Sequence, residues 1–253
     1  MRFLLNFSYD GSNYKGYQRQ PGCHTIQEEL EIAVQKVNNN IKRAVHSSGR
    51  TDKGVHALNQ YAHVDIDIDI TEKKLKRALN SNLPDDIYVK SVSLVDEHFH
   101  ARYYVREKEY KYYLNMGEYN PLERNYVYQY NYLLDVEAMR DAIRVFLGEH
   151  DFRAFATDSK DKENCVRKIY EVSIEELNDN KIAITFRGSG FLRYQVRNMV
   201  GILLQVGQNK ISTEDVEKIL ASCNREKSGK TAPAEGLYLT KVEYNEILQN
   251  ILE

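Results

Sequence analysis

The 253-residue chain is 42% hydrophobic and 28% charged, with four prolines, which fits a folded soluble protein of one or two domains and excludes long disordered segments. A formal net charge of -2 excludes an overall basic character, so an RNA-binding surface has to come from uneven placement of the 35 Lys and Arg residues. Cys23, Cys165 and Cys223 are widely separated and form no C-x-x-C pair; they signal neither a disulfide framework nor a zinc knuckle, and a reducing cytoplasm is the natural compartment.

The N-terminus is apolar only briefly and lacks a small-residue cleavage site, and no run reaches membrane-spanning length, so neither secretion nor insertion is expected. Phe3, Leu5 and Phe7 alternate with Leu4, Asn6 and Ser8, predicting a strand that ends at a Tyr-Asp-Gly-Ser turn, 9–12. The following loop, 12–20, mixes rings, amides and cations, among them Gln18 and Arg19. Such a loop can grip phosphates and bases or simply lie exposed. Thr25 and Glu28 have capping-box spacing ahead of Ile26, Leu30, Ala33, Val34 and Val37, which share one helical face.

A short strand is expected over 41–46, leading into Gly49-Arg50-Thr51-Asp52-Lys53-Gly54. One carboxylate between two cations, in a turn bounded by glycines, can be held at a fixed angle and kept ionised, as a nucleophile or base requires. A solvated turn fits the same residues. Next, Ala62, Val64, Ile66, Ile68 and Ile70 alternate with Tyr61, His63, Asp65, Asp67 and Asp69. Side chains in such a row point outwards side by side, which favours a solvated face over a metal site. A helix after Thr71 carrying Leu75, Ala78 and Leu79, then a strand over 87–95, complete a βαββαβ order. His98 and His100 flank Phe99 with no cysteine nearby, which suits a satisfied or interdomain histidine better than a metal ligand.

Beyond 103 a similar order recurs, without recurrence of sequence. It comprises a tyrosine-rich strand over 108–115, a helix with Val136, Met139, Ile143, Phe146 and Leu147, paired strands near 168–187, helices over 191–206 and from Ser212, and a closing strand over 237–244. The expectation is an α+β protein of two ferredoxin-like halves with abutting antiparallel sheets, divided into residues 1–103 and 104–253. Tyr110 and Tyr112 share a strand face and can clamp a base or pack across strands. Arg193 and Arg197 share a face of an otherwise apolar helix; they either snorkel to water or phosphate, or bury one guanidinium against a carboxylate such as Asp52. No Gly-x-Ser-x-Gly elbow and no phosphate-binding glycine-rich lysine loop is present, which disfavours serine hydrolysis and ATP chemistry.

An ordered series of short motifs spans nearly the whole chain. It contains Tyr9-Asp10-Gly11, Gly16-Tyr17-Gln18-Arg19-Gln20, Gly49-Arg50-Thr51-Asp52 with Gly54-Val55-His56, Asn82-Leu83-Pro84 and Phe99-His100-Ala101-Arg102. Later come Tyr110-Lys111-Tyr112, Asp151-Phe152, Val196-Arg197-Asn198-Met199-Val200-Gly201 and Ala234-Glu235-Gly236-Leu237-Tyr238-Leu239. The series resembles the TruA family of tRNA pseudouridine synthases, which isomerise uridines at positions 38 to 40 of the anticodon stem-loop.

The resemblance implies that Asp52 is the catalytic aspartate, Arg197 its salt-bridge partner and Tyr110 the ring over the target uracil. Arg50 is then expected to help hold the flipped nucleotide, with Gln18, Arg19, His56 and Arg102 as substrate contacts. The resemblance also implies a pseudouridine synthase fold with two pseudo-repeated α+β domains, a homodimer that accepts tRNA in a positively charged cleft, and no metal or organic cofactor. Lys53 departs from the small residue expected after the aspartate and receives no catalytic role. Competing expectations are the same chemistry on ribosomal RNA, and a non-catalytic RNA-binding protein of ferredoxin-like build.

Overall fold

The computed structural model describes residues 1–157 and 164–245. These cluster into two compact units: Met1–Arg106 together with the residues from Tyr238 onward, and Glu107–Leu237. In the first unit, strand β1 (Arg2–Tyr9) is followed by helix α1 (Ile26–Val37), strands β2 (His46–Ser47) and β3 (His56–Asp65), helix α2 (Glu72–Asn80) and strand β4 (Ile87–Val95). β1 lies between β3 and β4 and is antiparallel to both, with Leu5 opposite Ala62 on one side and Val92 on the other. Five consecutive residues from Phe3 to Phe7 are therefore buried on both faces, where the sequence suggested simple alternation.

Helix α1 begins as its spacing predicts, but only half of the capping box forms. Thr25 Oγ1 accepts from the Glu28 N–H at 3.4 Å, while the Glu28 carboxylate faces Arg19 Nε at 3.8 Å. Ile26, Leu30, Ala33 and Val34 are buried, and each of the larger side chains contributes about 1.5–3 kcal/mol on leaving water. The strand expected over 41–46 shrinks to His46–Ser47, because the Val45 N–H is taken by Glu31 Oε1 at 3.3 Å instead of by a neighbouring strand.

β3 starts earlier than its alternation suggests and stops at Asp65, where the pairing with Arg2 of β1 ends. The following aspartates do not line one strand face. Asp65 binds the Arg2 guanidinium at 2.9 Å, and Asp67 lies beyond the strand, bonded by Asn38 and Arg43.

The second unit contains β5 (Val105–Asn115), β6 (Tyr128–Gln129), α3 (Val136–Ile143), β7 (Gly148–Asp151), β8 (Val166–Leu177), β9 (Lys181–Gly188), α4 (Gln195–Gly207) and α5 (Thr213–Ala221). Its strands run β5-β9-β8-β7, antiparallel at each step, while β6 adds a short parallel pair to β5. Phe146, Phe152 and Phe155 pack as a ring cluster, with Phe146 reaching Phe186 of β9. The helix expected from 191 begins at Gln195, since Tyr194 takes a left-handed backbone with φ 62 that no α-helix continues. Leu147, assigned by periodicity to the apolar face of α3, lies past the helix end and is exposed.

The closing strand, β10 (Leu237–Tyr244), falls where its alternation places it. From Tyr238 onward it belongs to the first unit rather than to a continuous 104–253 segment. It pairs in parallel with β3, Tyr238 opposite His56 and Leu239 opposite Ala57, and Asn59 Nδ2 donates to Thr240 O at 2.8 Å. The antiparallel expectation is corrected at these two places: among the described residues, both parallel pairs are two residues long.

Candidate active site

The Asp52 segment leaves β2 and enters β3 through a turn in which the Val55 N–H donates to Asp52 O at 3.2 Å and Gly54 takes φ 78. A positive φ at the third position of such a turn favours glycine. The preceding residues are held by buried polar bonds. Ser48 Oγ donates to Gln60 Oε1 at 2.6 Å, Gln60 Nε2 donates to Gly49 O at 3.0 Å, and the Tyr9 hydroxyl meets Thr51 Oγ1 at 2.8 Å. Burial pushes the Tyr9 phenol up to about 12, so it stays neutral and serves as a fixed hydrogen-bonding group.

The 10–17 loop lies directly against this turn. The Tyr17 N–H donates to Thr51 O at 3.1 Å, and a Cβ on Gly16 would come within 3.0 Å of that same oxygen and 3.3 Å of Lys53 N. At Gly11 the approach is closer still: a Cβ would lie 2.1 Å from Val55 O. Two motifs far apart in sequence thus form one packed backbone layer, and Asp52, half-buried, is carried on it. Lys15 sits beside Lys53, and hydrogen bonding to that amine together with like-charge repulsion holds the Lys53 ammonium below the usual lysine range. With exposed Arg50, the Asp52 turn therefore carries a local excess of positive charge in a chain whose net charge is -2.

His56, the first residue of β3, is buried, and its ring stacks on Tyr238 with centroids 4.6 Å apart. Two groups face its Nδ1: the Gly11 N–H at 3.1 Å and Asp10 Oδ1 at 3.2 Å. The Gly11 N–H donates to a lone pair on Nδ1, which puts the proton of a neutral ring on Nε2. Asp10 Oδ1 meanwhile accepts from the Ser12 N–H and hydroxyl. His56 thereby ties the Asp10 turn to the end of the Asp52 turn.

The remaining candidates of the first unit are less confined. Arg19 directs its guanidinium to Glu31 at 3.0 Å and Glu28 at 3.8 Å, so it is braced against α1 while its side chain stays 57% exposed. Gln18 is half-buried and Arg102 exposed. Arg102 follows a histidine cluster in which His46, His63 and His100 have ring centroids 4.7 to 5.8 Å apart.

In the second unit Tyr110 points to the buried side of β5, and its ring meets Phe191 edge-on at 5.3 Å. Tyr112, two residues on, is fully buried and donates its hydroxyl to Pro233 O at 2.9 Å, so both rings on that face are packed. Arg197, on the first turn of α4, donates from Nε to Ala232 O at 2.8 Å. Its guanidinium carbon lies 5.0 Å from the Tyr194 ring centroid.

Gln60, Tyr9, Tyr238, Phe191 and Tyr194 were not singled out as site residues. Tyr9 and Tyr238 fall inside quoted motifs, while the other three carry no signal apart from their contacts.

A family model described as tRNA pseudouridine synthase matches residues 6–104 and 142–245. Among curated proteins, "tRNA pseudouridine synthase A 1" of Bacillus cereus is 44% identical over 245 residues, covering 96% of this chain and 99% of that protein. "tRNA pseudouridine synthase A" of Limosilactobacillus reuteri is 42% identical over 248 residues, covering 96% of each. Among solved structures, a chain in the crystal structure of the archaeal box H/ACA sRNP Nop10-Cbf5 complex aligns at 12% identity with a TM-score of 0.34, covering 91% of this chain and 61% of that one.

Proposed function

The chain belongs to the tRNA pseudouridine synthase family, whose members are isomerases, and from that premise we propose that it converts uridines 38 to 40 of the tRNA anticodon stem-loop to pseudouridine, with Asp52 as the reacting carboxylate. The family match across both compact units carries the assignment of the reaction. The pinned turn supports the assignment of Asp52, since a reacting group gains from a support whose hydrogen bonds fix its geometry.

The conversion breaks the bond from ribose C1′ to N1 of the base and makes one from C1′ to C5. The hydrogen on C5 leaves to water and N1 takes up a proton. No electrons are gained or lost, so the step requires neither a redox carrier nor ATP. The target base must leave its stack and enter a pocket that holds it by a ring and by hydrogen bonds. Tyr110, edge-packed on Phe191, is the proposed ring. An ionised Asp52 can attack the base, attack C1′, or remove a proton from the ribose C2′. Arg197 is proposed as the cation that keeps this carboxylate ionised and oriented, Arg50 as a residue that helps hold the flipped nucleotide, and Lys15 and Lys53 as contacts to the surrounding phosphates.

Gln18, Arg19, His56 and Arg102 complete the proposed substrate-side set. For His56 and Arg19 the support is indirect: His56 fixes the loop that carries Gln18, and Arg19 is braced on α1. The protein is further proposed to act as a homodimer in the cytoplasm. Its three cysteines are not joined in disulfides, which suits a reducing compartment, and among the described residues no helix is long and apolar enough to cross a membrane.

Incubation with tRNA tritiated at C5 of uridine tests the reaction. Wild-type protein is expected to release tritium, and Asp52→Asn to bind the RNA and release none. Full release by Asp52→Asn, or none by the wild type, would overturn the assignment.

A further inference from the structure

Between β9 and α4 the chain reads Ser189-Gly190-Phe191-Leu192-Arg193-Tyr194. This short connection touches both residues of the second unit to which the proposed function gives a role: Phe191 packs on Tyr110 and Tyr194 lies beside Arg197. The backbone at Tyr194 is unusual. It adopts φ 62, ψ 1, a left-handed conformation that glycine and asparagine enter far more readily than a ring-bearing residue. A strained backbone that persists is held there by its surroundings, and such strain clusters at working sites.

What the side chain supplies in return is visible in the contacts. The guanidinium carbon of Arg197 lies 5.0 Å from the ring centroid of Tyr194, and that of Arg193 lies 5.1 Å from it, both within cation–π range. The Arg197 Nε–H is fixed at the same time by Ala232 O at 2.8 Å, and the Ala232 N–H returns to Arg197 O at 3.1 Å. A guanidinium held at Nε and flanked by a ring has its plane set. A planar fork binds a carboxylate well only when correctly oriented.

We propose that Tyr194 is a positioning residue, its ring, carried on a left-handed backbone at the head of α4, fixing the plane of the Arg197 guanidinium for the reaction. This rests on the reading of Arg197 as the cation that serves Asp52. The phenol oxygen has no part in it: the face and edge of the ring do the orienting, and the hydroxyl is dispensable. Arg193 shares the ring from a more exposed position and adds positive charge next to it.

Substitution separates orientation from folding, because asparagine tolerates the left-handed backbone. Tyr194→Asn is expected to fold with an unfolding midpoint at or near wild type and to lower kcat about threefold to thirtyfold, the rate equivalent of one cation–π contact, with KM for tRNA within about twofold of wild type. Tyr194→Phe is expected to restore kcat. A Tyr194→Asn protein with wild-type kcat, one that raises KM alone, or a Tyr194→Phe protein as slow as Tyr194→Asn would each overturn the proposal. Arg197→Gln in the same assay keeps its failure distinct from that of the underlying reading. Wild-type kcat in Arg197→Gln removes the premise, whereas a slow Arg197→Gln beside a fast Tyr194→Asn removes only the role of Tyr194.

Discussion

His63 is the residue at which burial most clearly decides a charge. It lies on β3, buried, with its Nδ1 accepting the Ala101 N–H at 3.1 Å. Desolvation first, and then the nearby His100, Arg2 and His46 charges, push its imidazole down to about 4, with Asp65 acting weakly the other way. The folded state therefore keeps His63 neutral where an unfolded chain, with its ordinary value near 6.5, takes up a proton. The unfolded state binds more protons between those values, so this contribution to stability is complete above about pH 6.5 and is lost as the pH falls towards about 4. His63→Asn, whose amide oxygen can still accept from Ala101, should flatten the loss of stability between pH 7 and pH 5 in denaturant titrations; an unchanged slope would remove His63 as its source.

At the same scale, Asp52, Arg197 and Tyr110 stand out in the sequence as candidates because each sits in a motif whose composition suggests chemistry. Gln60 and Tyr194 do not, because the contacts of a glutamine or tyrosine come only from the backbone oxygen or guanidinium that the fold brings to it.

Among the elements, β9 shows how the second unit keeps a buried acid in its sheet. Glu107 of β5 is only 4% exposed, and both of its oxygens accept from Arg187 Nη1 at 2.8 and 3.0 Å, while Arg187 Nε reaches Glu171 of β8 at 3.0 Å. One arginine on the middle strand thus bridges its two neighbours. Arg187→Ala is expected to cost about 3 kcal/mol, because it strands the Glu107 charge, and Arg187→Ala combined with Glu107→Leu should recover most of that loss. Chemical denaturation of the two variants checks this, and equal stability of single and double variants would contradict it.

Elements whose own residues determine them coincide with their sequence patterns: β4 over 87–95 and β10 over 237–244. The departures fall where tertiary contacts intervene. The Glu31 side chain replaces a strand partner for Val45, and the left-handed Tyr194 delays α4 until Gln195. Neither leaves a mark in hydrophobic periodicity.

For the whole molecule, a net charge of -2 conceals where the cations lie. Arg50, Lys53 and Lys15 surround the Asp52 turn, and Lys15 and Lys53 stand next to one another despite their like charge. If they meet phosphates, RNA affinity falls as salt rises, and Lys53→Gln should lower the slope of log affinity against log salt by about one. A slope unchanged in that variant would return Lys53 to the role of bystander.

The α+β class followed from the order of strands and helices. The membership of the closing strand did not, because β10 joins the first unit from the far end of the sequence and no local pattern reports such a pairing.

The central claim, Asp52-dependent isomerisation of anticodon-arm uridines, is tested most directly by mapping pseudouridine at single-nucleotide resolution in unmodified tRNA transcripts incubated with wild-type protein or with Asp52→Asn. The expected result is pseudouridine at uridines 38 to 40 with the wild type and none with the variant. Pseudouridine formed equally by both proteins, or no pseudouridine in the anticodon arm with the wild type, would contradict it.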